Sequence, residues 1–207
     1  MNVLLKAATL TGGIGGITAG GYLTYSHVFP KNRKTILDAL RSKNKSPIEG
    51  NEHQWTLKKD LYLKNPNNFK IVFKGSEKSS ITEEELKEWC SGILKDTYSE
   101  EKASDLLKAE KWCSKPNIKE ALSKESQELI PLSGESIDAS WNNKISTHSN
   151  DVQKELIDGW KLPAESGGTN KVSSAALRDS CRQKIEKEYI SSSDTDYTLS
   201  KKWCLKS

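Results

Sequence analysis

Four cysteines are the residues of this chain whose chemistry depends most on where they stand. The interval from Cys90 to Cys113 equals the interval from Cys181 to Cys204. Each second cysteine follows a tryptophan, in Trp112-Cys113 and Trp203-Cys204. Thiols so placed can oxidise to disulfides, ligate a metal, or pack as small apolar groups. Zinc sites usually draw on Cys-x-x-Cys or on Cys and His pairs. Here His27, His53 and His148 stand apart from every cysteine, so neither a metal nor a cofactor is expected. Disulfides and buried thiols remain, with disulfides the expectation. Four cysteines allow three connectivities, and the matched spacing favours Cys90 with Cys113 and Cys181 with Cys204.

The spacing belongs to a longer correspondence. A single shift brings Leu86 onto Leu177, Cys90 onto Cys181, Tyr98 onto Tyr189, Asp105 onto Asp196 and Trp112-Cys113 onto Trp203-Cys204, without a gap. The chain reads as an internal duplication. Leu86, Cys90, Ile93 and Leu94 recur at i, i+4, i+7 and i+8, one face of a helix. Thr82 and Glu85 fit a capping box at its start. After a break near residues 97–101, Ala103, Leu106, Leu107 and Cys113 mark a second helix, closed by Lys115-Pro116. Folding the pair back near residue 100 brings the two cysteines to similar heights, at about 1.5 Å of rise per residue. Facing positions of packed helices approach the roughly 4.4–6.8 Å Cα separation that a disulfide needs. Each bridge would contribute about 3 kcal/mol in the chain-entropy view, which suits a unit with a thin core. Trp55, Leu86 and Trp112 in one copy, and Trp141, Leu177 and Trp203 in the other, are expected to anchor the repeat cores.

The expected fold class is mainly α. It comprises an N-terminal transmembrane helix at 1–30, a basic juxtamembrane helix or linker at 31–48, repeat unit one at 49–132 and repeat unit two at 136–207. Phe69–Phe73 is a short apolar run, expected as a strand or an extended segment, with Trp160-Lys161-Leu162 as its counterpart. The stretch from Trp141 to Trp160 is longer than the matching stretch from Trp55 to Phe69. The surplus falls near 146–150, which reads as a loop.

The anchor rests on an unbroken run without a formal charge, from Ala7 to Pro30. About 20 apolar residues suffice for a helix to cross the hydrocarbon layer. The stretch is only weakly hydrophobic, and glycine is better tolerated in spanning helices than in soluble ones. Gly12, Gly16 and Gly20 make a small-xxx-small pattern that permits helix association in lipid. A cleaved signal peptide is the alternative. A phosphate-binding glycine loop is excluded, since neither G-x-G-x-x-G nor a GK[ST] ending occurs.

Charge is unevenly divided. Residues 1–46 hold seven lysines and arginines against Asp38, a net +6; with +4 for the whole chain, the remainder carries −2. Nucleic acid is therefore not an expected partner of the body, because phosphate backbones call for clustered Lys and Arg. The lipid bilayer is the expected partner, its anionic head groups facing residues 31–45. No small-molecule substrate is inferred. No nucleophile elbow, zinc-protease helix or kinase signature appears, so the chain is read as a non-enzyme. Glu83-Glu84-Glu85 reads as a helix N-terminus favoured by the dipole. Asp194 and Asp196 read as solvated loop residues. Disulfides persist outside the cytosol, which places the body outside the cell membrane. Positive-inside counting of the six basic residues at 31–45 argues the reverse. The alternative is thus a cytosol-facing, membrane-tethered adaptor with reduced cysteines.

A glycine-rich N-terminal segment followed by units with a leading Trp, a Leu-x-x-x-Cys helix and a closing Trp-Cys resembles the paralogous uncharacterised membrane proteins of hemotropic mycoplasmas. The residues carrying the resemblance are Trp55, Leu86, Cys90, Trp112 and Cys113, then Trp141, Leu177, Cys181, Trp203 and Cys204. It implies a membrane-associated product with surface exposure and antigenic variation; the expected role is surface interaction or antigenic display, with host or neighbouring surface proteins as further expected partners. It supplies no catalytic residue.

Overall fold

A computed structural model describes residues 33–64, 69–134, 139–165 and 171–206. The expected membrane anchor over residues 1–30, with Gly12, Gly16 and Gly20, lies outside them. Among the described residues no helix is long and apolar enough to cross a membrane.

The chain is mainly helical. The first half holds α1 (Ile36–Ser42), α2 (Glu52–Lys64), strands β1 (Val72–Phe73) and β2 (Ser76–Glu77), α3 (Glu83–Ile93) and α4 (Ala103–Trp112). The second holds α5 (Ile118–Leu122), α6 (Ala139–Thr147), a π-helix (Val152–Gly159), α7 (Ser174–Lys184) and α8 (Thr195–Cys204). Short polar side chains start these helices where the sequence requires a start. Thr35, Thr82 and Asn117 each accept the third amide of the helix they open, and Asp38, Glu85 and Glu120 return a bond to the cap's own amide. Ser173 accepts Ala176 N–H at α7, and Asp194 accepts Tyr197 N–H at α8. Each such cap is worth about 1 kcal/mol. The apolar run at 69–73 buries Ile71 and continues as β1. The turn into β2 takes φ of 50° at Lys74 and 81° at Gly75. Positive φ at both central residues is the type I′ signature that matches strand twist.

The two halves are built on one plan. α7 begins and ends at the same offset from α3 that relates the cysteines. α1 packs against α4, and α5 packs against α8. Ile36 N–H donates to Asp96 O and Leu37 N–H to Leu94 O; Ile118 N–H donates to Lys187 O and Lys119 N–H to Ile185 O. Ile48 N–H donates to Cys113 O and Ile130 N–H to Cys204 O. In every pair the trailing partner moves by the cysteine offset, and the leading partner moves by a smaller offset that is also constant. The β-bridges Thr35–Thr97 and Pro47–Ser114 recur likewise as Asn117–Glu188 and Leu129–Leu205. Ile36, Ala39, Leu40 and Ile48 are buried, and so are Ile118, Ala121, Leu122 and Ile130.

Two expectations change as a result. The sequence reading puts a juxtamembrane helix or linker at 31–48 and ends unit one at 132. In the structure α1 opens the first half, and residues 117–130 open the second. The compact body accordingly begins at Thr35. The one basic residue of α1, Arg41, lies on its wet side, while Ile36 and Leu40 are fully enclosed. The second change concerns residues 146–150. The polar run predicts a loop, but α6 continues to Thr147, a 3-10 turn spans Ser149–Asp151 and the π-helix follows. Val152 and Leu156 supply the reason: both are buried, and they hold the inserted turn against the core.

Candidate functional site

Helix packing brings the four cysteines together in two pairs. Cys90 on α3 is bonded to Cys113 at the end of α4, with Cα atoms 5.5 Å apart. Cys181 on α7 is bonded to Cys204 on α8, with Cα atoms 5.7 Å apart. All four are buried, and none is free. The pairing is the within-half one that the spacing favours.

The expected anchors surround these bridges. Leu86 and Leu177 are completely enclosed, as are Trp141 and Trp203, with Trp112 and Trp55 nearly so. An unpaired polar group costs more inside than outside, and three of the buried indoles have acceptors. Trp112 Nε1 donates to Phe69 O at 2.8 Å, Trp203 Nε1 to Glu155 Oε2 at 2.8 Å and Trp141 Nε1 to Pro131 O at 3.2 Å. Phe69 holds φ of 58°, which a bulky residue rarely adopts, and this conformation carries the carbonyl that Trp112 uses. Tyr62 meets the Trp112 ring edge-on at 5.0 Å, and His148 meets Trp203 at 5.5 Å. Lys111 and Lys202 lie over the same two rings, at 5.7 and 5.4 Å.

The seam between the halves was not legible from the cysteine pattern. One stripe of α2 forms its first-half side. Gln54 Nε2 donates to Tyr189 O at 2.7 Å and to Glu188 Oε1 at 2.8 Å. Asp60 accepts Lys124 Nζ at 2.6 Å, and Lys64 Nζ donates to Ser123 O at 2.7 Å. Between these ties Leu57 borders a cleft of about 420 Å³ with Ala121, Tyr189, Tyr197 and Thr198. Lys58, with no exposed surface, donates to Lys111 O at 2.8 Å and to Glu120 Oε1 at 3.0 Å. Burial pulls its ammonium down to about 8, against the opposing pull of Glu120. Burial and the Glu125 carboxylate raise the Tyr197 phenol well above its usual range. The signal for Lys58 was present as Trp-x-x-Lys, at Trp55/Lys58 and again at Trp141/Lys144. Lys144 is buried too, and burial with nearby Lys202 lowers its ammonium.

A second, open cleft of about 610 Å³ lies beside the inserted turn, bordered by Asn142, Ile145, Ser149, Val152, Lys171 and Ser173. Its walls mix hydroxyl, amide and aliphatic groups. Asp194 is the α8 cap, and Asp196 accepts Lys184 and Lys187 at 2.8 and 2.6 Å. Burial alone would raise the Asp196 carboxyl, but these two lysines hold it below its usual range. Among the described residues no three His, Cys, Asp or Glu side chains converge as metal ligands. The geometry is that of a cross-linked, multiply tied helical body, whose most developed polar constellation joins its own halves. No protein-family model, curated protein or solved structure matches the chain.

Proposed function

We propose that this chain is a non-enzymatic, single-pass surface protein that holds two tandem, disulfide-stapled helical units outside the cell membrane. Residues 1–30 are its anchor and the bilayer its first partner. The body serves interaction or antigenic display toward host or neighbouring surface proteins. The observation carrying this reading is the pair of equivalent disulfides, each closed within one half. Disulfides form and persist in oxidising compartments and are rare in the cytosol. The tandem arrangement is supported by the repeated backbone bonds that tie α1 to the turn before α4, and α5 to the turn before α8. α1 also bears on the lipid expectation, because its apolar side is spent on the core and not on a membrane.

The test is alkylation of intact cells with a membrane-impermeant thiol reagent, before and after impermeant reduction. Labelling of Cys90, Cys113, Cys181 and Cys204 only after reduction is the expected result. Free thiols reached only after lysis would replace this reading with the cytosol-facing adaptor.

A further inference from the structure

An isolated charge is costly to enclose, so the buried charges of folded proteins are paired. Among the described residues Lys58 and Lys144 are the two buried lysines. Lys58 obeys the rule. Its Nζ donates to Lys111 O at 2.8 Å and to Glu120 Oε1 and Oε2 at 3.0 and 3.3 Å. Lys111 Nζ lies 3.6 Å from the same carboxylate. One carboxylate is thus clamped by two lysines.

The second half repeats the lysines and omits the carboxylate. Lys144 follows Trp141 as Lys58 follows Trp55, and Lys202 precedes Trp203 as Lys111 precedes Trp112. Lys144 is 6% exposed. Its Nζ keeps solvent contact but makes no hydrogen bond or ion pair among the described residues. Burial, and then the like charge of Lys202, push its ammonium down. Lys202 is turned toward the inserted turn, where Asp151 and Glu155 meet its Nζ at 2.7 and 2.8 Å. Neither acid pairs with Lys144. A lysine whose stem merely covers apolar surface keeps its head group clear of like charge. Lys144 is nine-tenths enclosed and lies beside one.

We propose that Lys144 is an anion-binding site whose ligand is a single carboxylate group. The first half supplies the chemistry, since its equivalent lysine donates to both oxygens of a carboxylate. A monoanion fits better than a phosphate dianion, because Asp151 and Glu155 already bring two negative charges to the neighbouring Lys202. The carboxylate comes from a free organic acid or from a side chain of another protein, and both present the same pair of oxygens. The site rests on the packing of the helical body and is independent of the anchor and of the compartment.

The test follows acylation of Lys144 by a limiting N-hydroxysuccinimide ester, scored by peptide mass spectrometry on the full chain in detergent micelles. A bound carboxylate covers Nζ and holds its proton, so labelling slows. Sodium acetate at about twice its dissociation constant should slow it about threefold. The exposed Lys95 and Lys161 should keep their rates, and sodium chloride at equal ionic strength should have no effect. A synthetic peptide with the sequence of residues 116–124, and its Glu120→Gln form, separate the two sources. Protection by acetate supports the site with a free acid as ligand. Protection by the peptide alone, lost in its Glu120→Gln form, supports it with a protein carboxylate. Equal protection by chloride, equal slowing at Lys95, or no protection by either ligand would overturn the proposal. Whichever ligand protects should also raise the melting temperature of the wild type and leave Lys144→Met unchanged; an equal rise in both would overturn it as well.

Discussion

The first and second halves share their skeleton and differ in their faces. Shared are the caps of α1 and α5 and of α3 and α7, the bonds from the leading helix to the turn before the last helix, the disulfide, the buried Trp-Cys and the buried lysine after the leading tryptophan. Different are the residues that meet, or fail to meet, another unit. Leu57 and Leu61 give way to Asn143 and Thr147, and Lys43–Glu110 gives way to Glu125–Lys201. An inserted 3-10 and π turn, with its own buried Val152 and Leu156, occurs in the second half alone among the described residues. The lesson is a division of labour within one sequence. What recurs folds a unit, and what varies records the position of that unit in the pair.

The strongest way to break this comparison is to remove one staple at a time. Cys113→Ser and Cys204→Ser should each cost about 3 kcal/mol, as expected for opening a closed loop of this size. The two costs should agree closely if the halves are equivalent, and each variant should keep the other bridge. Denaturant melts give the energies, and non-reducing peptide maps give the pairing. A variant of Cys113 that scrambles into a Cys90–Cys181 link would show that the halves do not fold independently of each other's sulfurs.

A sharper test exchanges the faces. Leu57→Asn gives α2 the residue that α6 has at the same place, and Asn143→Leu does the reverse. Leu57 is buried at the seam, so its replacement should cost roughly 2–3 kcal/mol in lost apolar burial. Asn143 is exposed, and surface changes of that kind stay within about 0.5 kcal/mol. Equal effects at the two positions would sink the assignment of Leu57 to the seam.

Much of this was legible in the sequence, and the reason lies in spacing. The disulfides, the α3 and α7 stripes and the Thr82 cap occupy a stretch in which both copies have the same length, so one shift displays them without a gap. The opening helices escaped because the register drifts. The offset grows between Ile36/Ile118 and Trp55/Trp141, grows again by Phe69/Trp160, and is constant only from there onward. Thr35-Ile36 and Ala39-Leu40 do match Asn117-Ile118 and Ala121-Leu122, but two insertions stand between them and the cysteines. Charge added to the concealment. Lys43 and Lys45 made residues 31–48 read as a basic juxtamembrane helix or linker, although burial follows the side that Ile36, Ala39 and Leu40 share. The polar letters at 146–150 hid a helical insertion for a related cause. Its anchors, Val152 and Leu156, lie after the polar run and not within it.

Lys58 gives the comparison its finest probe, because the two buried lysines have different company. Lys58 has Glu120 across the seam, while Lys144 has the like charge of Lys202 nearby. The pH dependence of Lys58 follows from its lowered pKa. Its folded value is about 8 and its unfolded value 10.5, so between those limits the unfolded chain binds more protons. Stability attributable to this residue therefore rises as pH climbs through 8, and it is lost again as pH falls back through that value. Relative to Lys58→Met, the wild-type protein should gain roughly 2 kcal/mol between pH 8 and pH 9.5. Below pH 8 the difference should level off, since both states then hold the proton. Urea melts of the two proteins across this range measure it, and referring each pH to the variant cancels the other lysines and tyrosines. A flat difference would mean that water reaches Lys58 through the seam. The two halves would then be adjacent without forming a dry junction.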